Sequence, residues 1–193
     1  MNRLHRRHAW RGKLILLLVL FGLILVAYKL LPGQHISQTL QQNQPGLYGI
    51  SRFIDGDTVA VNMDGRVETV RFIGIDTPET HKPNTPVQCF GPAAAEYTKM
   101  LIGKNRIRLV SDSLNTDRDR YNRLLRYVYL PDGTDLNEKL VRDGYAFYYP
   151  YFPFSKAEQF DLAEQTAIAT HRGIWAKCQP TRTESGGYLS NPA

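Results

Sequence analysis

Carboxylates and one arginine are concentrated in two short stretches of this sequence. The first reads Ile54-Asp55-Gly56-Asp57-Thr58-Val59, and the second reads Arg71-Phe72-Ile73-Gly74-Ile75-Asp76-Thr77-Pro78-Glu79. Neighbouring carboxylates repel each other unless a cation joins them, and carboxylate with carbonyl oxygens suits Ca²⁺ or Mg²⁺ better than a soft metal. The pattern predicts a divalent-cation site built on Asp57 and Asp76. Glu79, three residues beyond Asp76, could face the same site. Taken alone, however, Asp55-Gly56-Asp57 is typical of a hairpin turn.

A basic cluster, Arg118-Asp119-Arg120-Tyr121-Asn122-Arg123, comes just before a predicted strand. Guanidinium groups bind phosphate oxygens in a bidentate manner and keep their charge. Arginines that converge on one phosphodiester can therefore stabilise the charge that develops there. A solvated loop with ordinary surface ion pairs is the alternative interpretation of this cluster.

Alternating apolar and β-branched residues predict the strands that must position these groups. Asp57 opens one strand and Asp76 closes its hairpin partner, so the two can meet at one end of the sheet, and Asp64-Gly65 between them is a hairpin signal. The predicted strands are Leu47 to Ile54, Thr58 to Met63, Val67 to Ile75, Arg106 to Val110 and Leu124 to Leu130.

Three helices are predicted, at Pro92 to Ile102, Leu136 to Asp143 and Ser155 to His171. The last has Ser155 as its N-cap and Gly173 beyond its end, and its apolar stripe is Phe160, Ala163, Ala167 and His171. Five short strands with inserted helices predict an α+β domain built on a small closed barrel such as the five-stranded OB-fold. The domain is expected to span 47–178, followed by a disordered tail over 179–193.

Basic charge is confined to the N-terminus. Residues 1–35 hold six basic side chains and no acidic one, whereas the remaining 158 residues hold 18 of each. The net charge of +6 and the pI of about 9.4 therefore do not describe the domain.

An apolar run follows the basic segment 1–13. Residues 14–31 would reach roughly 27 Å as a helix, marginally enough for a bilayer core of about 30 Å. Basic residues before the run predict a cytoplasmic N-terminus and an extracytoplasmic domain anchored in the cell membrane, joined by a linker over 32–46. A cleaved signal peptide, with secretion of the domain, is the main alternative, although no small-x-small cleavage site is evident. A buried core helix is a weaker one.

Two cysteines, Cys89 and Cys178, fall in the predicted extracytoplasmic part. An oxidising compartment would favour one disulfide between them, and two unpaired thiols are the alternative.

Several separated motifs together resemble the staphylococcal nuclease family over about Tyr48 to Trp175. The stretches around Asp57 and around Asp76 carry the resemblance in the first half of the domain. The further matching elements are Gly91-Pro92-x-Ala94, Asp119-x-Tyr121-x-Arg123, Leu136-Asn137-x-x-Leu140-Val141-Arg142-x-Gly144 and Gly173-Ile174-Trp175.

This resemblance implies an OB-fold barrel with three helices and Ca²⁺-dependent cleavage of DNA and RNA that leaves 3′-phosphate ends. Carried over, Asp57, Asp76 and the carbonyl of Thr77 would hold the metal. Glu79 would act as general base toward the attacking water or orient it, and Arg71 and Arg123 would hold the scissile phosphate and stabilise its transition state.

Further positions on the substrate side would be Arg120, Tyr121, Tyr149 and Tyr151. Aromatic faces stack on exposed bases without sequence preference, although such residues are equally typical of core packing. Asn122 stands where the family usually has glycine, an exchange that is tolerable if the loop needs a positive φ.

The expected partners are therefore DNA and RNA, preferably single-stranded or locally open, together with the membrane through the N-terminal helix, and the protein is expected to be a monomer. The competing hypothesis is a catalytically silent OB-fold that binds nucleic acid or protein. The complete set of acidic and basic site residues favours an active nuclease. A surface adhesion or scaffolding module has no positive feature in its favour.

Overall fold

The computed structural model describes Phe21 and residues 46–80 and 85–193. The chain divides into two compact units, Met1–Gln44 and Pro45–Ala193, and the second contains all the features that follow. The predicted basic segment and anchor helix lie outside the described residues, Phe21 apart, as does the predicted linker apart from Gly46. Within the described residues, no helix is long and apolar enough to cross a membrane.

Five strands close into a barrel in the order β1-β2-β3-β6-β5. All neighbouring pairs are antiparallel except β3 and β6, which run parallel. The barrel and its helices confirm the predicted five-stranded α+β architecture. The strands are β1 (Leu47–Asp55), β2 (Thr58–Met63), β3 (Arg66–Phe72), β5 (Ile107–Val110) and β6 (Leu124–Tyr129).

Alternating side chains of the strands fill the barrel interior. Val59 and Val61 of β2 and Val70 and Phe72 of β3 are fully or almost fully buried in one core cluster. The turn between β2 and β3 is the predicted Asp64-Gly65 pair, and both residues have positive φ (49° and 81°). Positive φ at both central positions defines the hairpin turns that suit the twist of paired strands.

A predicted long strand, Val67 to Ile75, is broken in two. The chain turns at Gly74, whose φ is +74° and where a Cβ would lie 2.4 Å from the Phe154 ring. The following residues form β4 (Ile75–Asp76), which pairs with β7 (Phe147–Tyr148) outside the barrel. The break turns Asp76 away from the β3 ladder, so that it lies beside that strand instead of continuing it.

Four helices surround the barrel: α1 (Gly91–Ile102), α2 (Leu136–Arg142), α3 (Ala157–Ala169) and the single turn α4 (Ile174–Lys177). The prediction of Ser155 as the N-cap of α3 is wrong, because the helix begins at Ala157 and Ser155 instead donates its N–H and hydroxyl to Asp112. Phe160, Ala163 and Ala167 are buried as predicted, whereas His171 lies beyond the helix and is exposed.

The predicted disordered tail over 179–193 is also wrong. This segment forms a hairpin of β8 (Thr181–Arg182) and β9 (Tyr188–Leu189). The Tyr188 ring packs 4.8 Å from the Trp175 ring and 6.2 Å from the Phe147 ring. Both aromatic partners lie outside the segment 179–193. The polar composition of the segment itself therefore does not indicate that it is ordered. The domain therefore extends to Ala193.

The disulfide between Cys89 and Cys178 is present, with the two Cα atoms 6.0 Å apart. It joins the loop that precedes α1 to the end of α4. The alternative of two unpaired thiols is excluded.

Candidate active site

Arg71 lies between the two predicted metal carboxylates, Asp57 and Asp76. In the β2–β3 register it stands opposite Thr58, the residue after Asp57. Its Nη1 is 2.9 Å from Asp57 Oδ2, and its Nη2 is 2.6 Å from Asp76 Oδ1. Arg71 also donates from Nη1 to the carbonyl of Ile75, so it holds the short strand β4 in place. The two aspartates thus meet at one end of the sheet, as predicted, and flank one guanidinium.

Asp57 is buried and anchors the loop that follows β4. Its Oδ2 accepts a hydrogen bond from the backbone N–H of Thr77 (2.9 Å), and its Oδ1 accepts one from the Thr58 hydroxyl (2.8 Å). A Cβ at Gly56 would lie 2.9 Å from the Thr77 side chain, so glycine permits this close approach. The Thr77 hydroxyl oxygen is buried without a hydrogen-bond partner.

Negative charge is concentrated around this single arginine. The pKa of Asp55 is raised to about 6 because its carboxylate is desolvated, because Asp57 repels its charge and because it shares a hydrogen bond with Glu79. The pKa of Asp76 is also raised to about 6 by desolvation, opposed by Arg71 and reinforced by Asp57 and Glu79. The charges of Asp55, Asp57, Asp76 and Glu79 therefore disfavour one another. Arg71 contacts two of these four carboxylates, Asp57 and Asp76, and a cation would relieve the remaining repulsion.

The chemistry of these donors fits a hard divalent cation. Carboxylate and carbonyl oxygens are the ligands that Ca²⁺ prefers. Thr77, whose buried hydroxyl has no hydrogen-bond partner, donates its backbone N–H to Asp57. Within residues 46–80 and 85–193, no three acidic, histidine or cysteine side chains already converge as a metal-binding group. The third ligand that the family resemblance implies is the backbone carbonyl of Thr77, which is not a side chain and so is not part of such a group.

A cleft of about 690 Å³ opens beside Arg71. Most of the residues predicted on the substrate side line this cleft, whereas none of the four carboxylates does. Arg71 lines the cleft and also contacts two of the carboxylates, so it connects the cleft to the acidic cluster. The predicted residues that line it are Arg71, Arg120, Tyr121, Arg123 and Tyr149.

The arginine-rich loop is ordered by Asp119. Its Oδ2 accepts from Arg123 Nε (2.7 Å), and its Oδ1 accepts from the backbone N–H of both Tyr121 and Arg123. Asn122 has a φ of 64°, which is the positive value that its position requires. The ring of Tyr121, 66% exposed, has the Arg120 and Arg123 guanidinium carbons 4.9 and 5.4 Å from its centroid.

Only one of the two predicted tyrosines of the 148–153 run lines the cleft. Tyr149 does so, and burial raises its pKa, as does the negative charge of Asp76. Tyr151 lies outside the cleft lining, and its hydroxyl is 2.6 Å from the Thr183 hydroxyl of the C-terminal hairpin. Phe152, which sequence reasoning did not select, lines the cleft and is 60% exposed. No local signal separates these adjacent aromatic residues.

A barrel that places acidic residues beside an arginine-lined cleft is suited to binding and hydrolysing a phosphodiester. Residues 69–177, more than half of the chain, match the family model described as staphylococcal nuclease homologue. The chain belongs to this family, and it is a nuclease.

Curated relatives agree with this assignment. The thermonuclease of Staphylococcus hyicus is 36% identical over 167 residues, which cover 83% of this chain and 95% of the relative. Endonuclease YncB of Bacillus subtilis is 40% identical over 154 residues, covering 78% of this chain and 68% of that protein. The thermonuclease of Staphylococcus intermedius is 42% identical over 131 residues, covering 67% and 76% respectively.

Proposed function

We propose that this protein is a Ca²⁺-dependent nuclease that hydrolyses both DNA and RNA and leaves 3′-phosphate ends. The observation that carries the proposal is the position of Arg71, which bonds to Asp57 and Asp76 and also lines the cleft that holds Arg123. Asp57, Asp76 and the Thr77 carbonyl would hold the cation. A cation held there would supply polarisation of the phosphoryl oxygen and a lower pKa for the attacking water.

The residues of the chain perform the remaining steps. Glu79 takes a proton from the attacking water, whose oxygen forms the new bond to phosphorus. The bond from phosphorus to the 5′ oxygen breaks, the phosphate stays on the 3′ side, and the leaving oxygen takes a proton from solvent. Arg71 and Arg123 donate to the phosphate oxygens, where negative charge grows only during attack.

The aromatic residues of the cleft favour unpaired bases as the part of the substrate that is bound. These residues, Tyr121, Tyr149 and Phe152, offer faces on which unpaired bases can stack, and stacking is tolerant of base identity. We therefore expect single-stranded or locally open DNA and RNA to be the preferred substrates. We also expect the active protein to be a monomer.

Digestion of plasmid, single-stranded DNA and RNA by the purified protein tests this function. Cleavage should appear in millimolar Ca²⁺, stop on addition of a Ca²⁺ chelator, and yield 3′-phosphate termini in mass spectra. Asp76→Asn should lose most of the activity, whereas Asp64→Asn at the exposed β2–β3 turn should not. Cleavage that is indifferent to the chelator, or confined to one sugar, would contradict the proposal.

We also propose that the nuclease domain is extracytoplasmic and attached to the cell membrane through residues 14–31. The basic segment before the apolar run supports this orientation. The Cys89–Cys178 disulfide is consistent with an oxidising compartment. Retention of the protein in carbonate-washed membranes, with the domain accessible to protease added to spheroplasts, is the expected result. Recovery of a shortened chain from the medium would favour the cleaved signal peptide.

A further inference from the structure

Gln88 contacts Glu79 through both its side chain and its backbone. Its Oε1 accepts a hydrogen bond from the backbone N–H of Glu79 (2.7 Å), and its own N–H donates to the Glu79 carbonyl (2.9 Å). These two bonds hold the peptide groups on both sides of the Glu79 Cα atom. They therefore restrict the backbone torsions that set the direction of the Glu79 side chain.

The backbone at Gly91 also approaches the loop that carries Glu79 closely. At Gly91, a Cβ would lie 2.8 Å from the Glu79 carbonyl oxygen and 3.0 Å from that of Pro78. The segment containing Gln88 thus packs directly on the loop that carries Glu79.

A second layer of contacts holds that segment from the other side. We call residues 190–193 the C-terminal strap. Cys89 donates its N–H to the Asn191 carbonyl (2.8 Å), the Ser190 hydroxyl donates to the Cys89 carbonyl (2.8 Å), and Ala193 donates its N–H to the Val87 carbonyl (3.0 Å). The disulfide from Cys89 to Cys178 adds a covalent tie beside these bonds.

We propose that Gln88 is a positioning residue for Glu79 and that the C-terminal strap holds Gln88 in place. The inference rests on the proposed function, in which Glu79 takes the proton of the attacking water. Proton transfer requires a base within hydrogen-bond reach of its water, so a small displacement of Glu79 slows the reaction without changing substrate affinity.

The side-chain oxygen of Gln88 is the group that the proposal makes essential. Gln88→Leu removes this acceptor at similar size and leaves the N–H of Glu79 without it. Gln88→Glu keeps an acceptor oxygen at the same reach. Gln165→Leu, at an exposed position on α3, is the matched control for the loss of a glutamine.

Steady-state kinetics of these variants in Ca²⁺ provide the test. Gln88→Leu should lower kcat about tenfold, with KM changed less than about twofold, while Gln88→Glu and Gln165→Leu keep most of the activity. If Gln88→Leu does not fold, as judged by calorimetry, Gln88→Ala takes its place. Wild-type kcat in the variant that lacks the acceptor, or a loss confined to KM, would overturn the proposal.

A double-mutant cycle with Glu79→Gln separates positioning from general destabilisation. If Gln88 acts through Glu79, Gln88→Leu should have little further effect on kcat once Glu79 is replaced. If the two single substitutions instead lower kcat independently, so that their effects multiply in the double variant, the inference is overturned. Full activity of Glu79→Gln alone would instead contradict the role of Glu79 in the proposed function, so the two failures can be told apart.

Discussion

Arg71 connects the acidic residues of the candidate site to the cleft. Its side chain is 13% exposed, and it binds two carboxylates and the Ile75 carbonyl while lining the cleft. A lysine has no planar fork with which to bridge two separate carboxylates. The fork of an arginine is therefore required at this position.

Arg123 is a more selective test of phosphate stabilisation, because its one acidic partner, at 2.7 Å, is Asp119 on the same loop. Arg123→Ala should lower kcat by about a hundredfold or more, as expected when a preorganised donor to the transition state is lost. Partly exposed ion pairs contribute little to stability, so the free energy of unfolding should change by less than about 1 kcal/mol. Kinetics and urea denaturation measure the two quantities.

Arg66→Ala is the matched control for this variant, since Arg66 is exposed at the opposite end of β3 from Arg71. It should keep wild-type kcat. Equal activity of Arg123→Ala and Arg66→Ala would remove Arg123 from the site.

At the scale of elements, the short strands β4 and β7 hold Asp76 outside the barrel ladder. Asp76 pairs with Phe147 across them, and Tyr149 donates its N–H to the carbonyl of Gly74. The site therefore depends on how firmly this two-stranded sheet is held. Helix α3 contributes through Glu164, whose Oε1 accepts the backbone N–H of Tyr148 in β7 (2.8 Å).

Glu164 makes this contact pH-dependent. Burial raises its pKa from 4.5 to about 7, and the charge of Asp161 acts in the same direction. The folded state therefore favours the protonated form of Glu164. The contribution of this residue to the free energy of unfolding is fully present below about pH 4.5 and is lost as the pH rises through about 7.

Glu164→Gln removes this titration and keeps an acceptor for Tyr148. At pH 8 the variant should be more stable than the wild type by about 1 to 3 kcal/mol, with the difference shrinking toward pH 5. Urea denaturation at both pH values without Ca²⁺ measures it, and Glu158→Gln on the exposed face of α3 is the control. A difference that is the same at pH 5 and pH 8 would contradict the prediction.

For the whole molecule, the disulfide and the C-terminal hairpin close the domain by contacts between distant parts of the chain. Cys89 and Cys178 are 89 positions apart. Cross-linking a loop of this length stabilises a fold by roughly 4 to 5 kcal/mol in the chain-entropy model.

Reduction should therefore lower the Tm by about 10 °C or more. Calorimetry with and without a phosphine reductant measures the shift, and thiol titration verifies that the bond is open. The double variant Cys89→Ser/Cys178→Ser should melt at the lower temperature with either buffer. An unchanged Tm after complete reduction would show that the bond contributes nothing to stability.

Sequence alone determined the barrel, the hairpin turn and the residue types that gather at the candidate site. Alternation of apolar residues specifies which strand faces are buried, and Asp64-Gly65 favours positive φ, so both are encoded locally. The acidic and arginine motifs were likewise recognisable because each is contiguous, and the loop around Asn122 adopts the positive φ that its position suggested.

Only the tertiary structure decided how these pieces meet. Phe154 packs against the break at Gly74, Tyr188 of the C-terminal segment packs against Trp175, and Gln88 contacts Glu79. Each is a contact between residues whose separation along the chain gives no periodic signal. Their energies come from packing and hydrogen bonds that exist only once the barrel has closed.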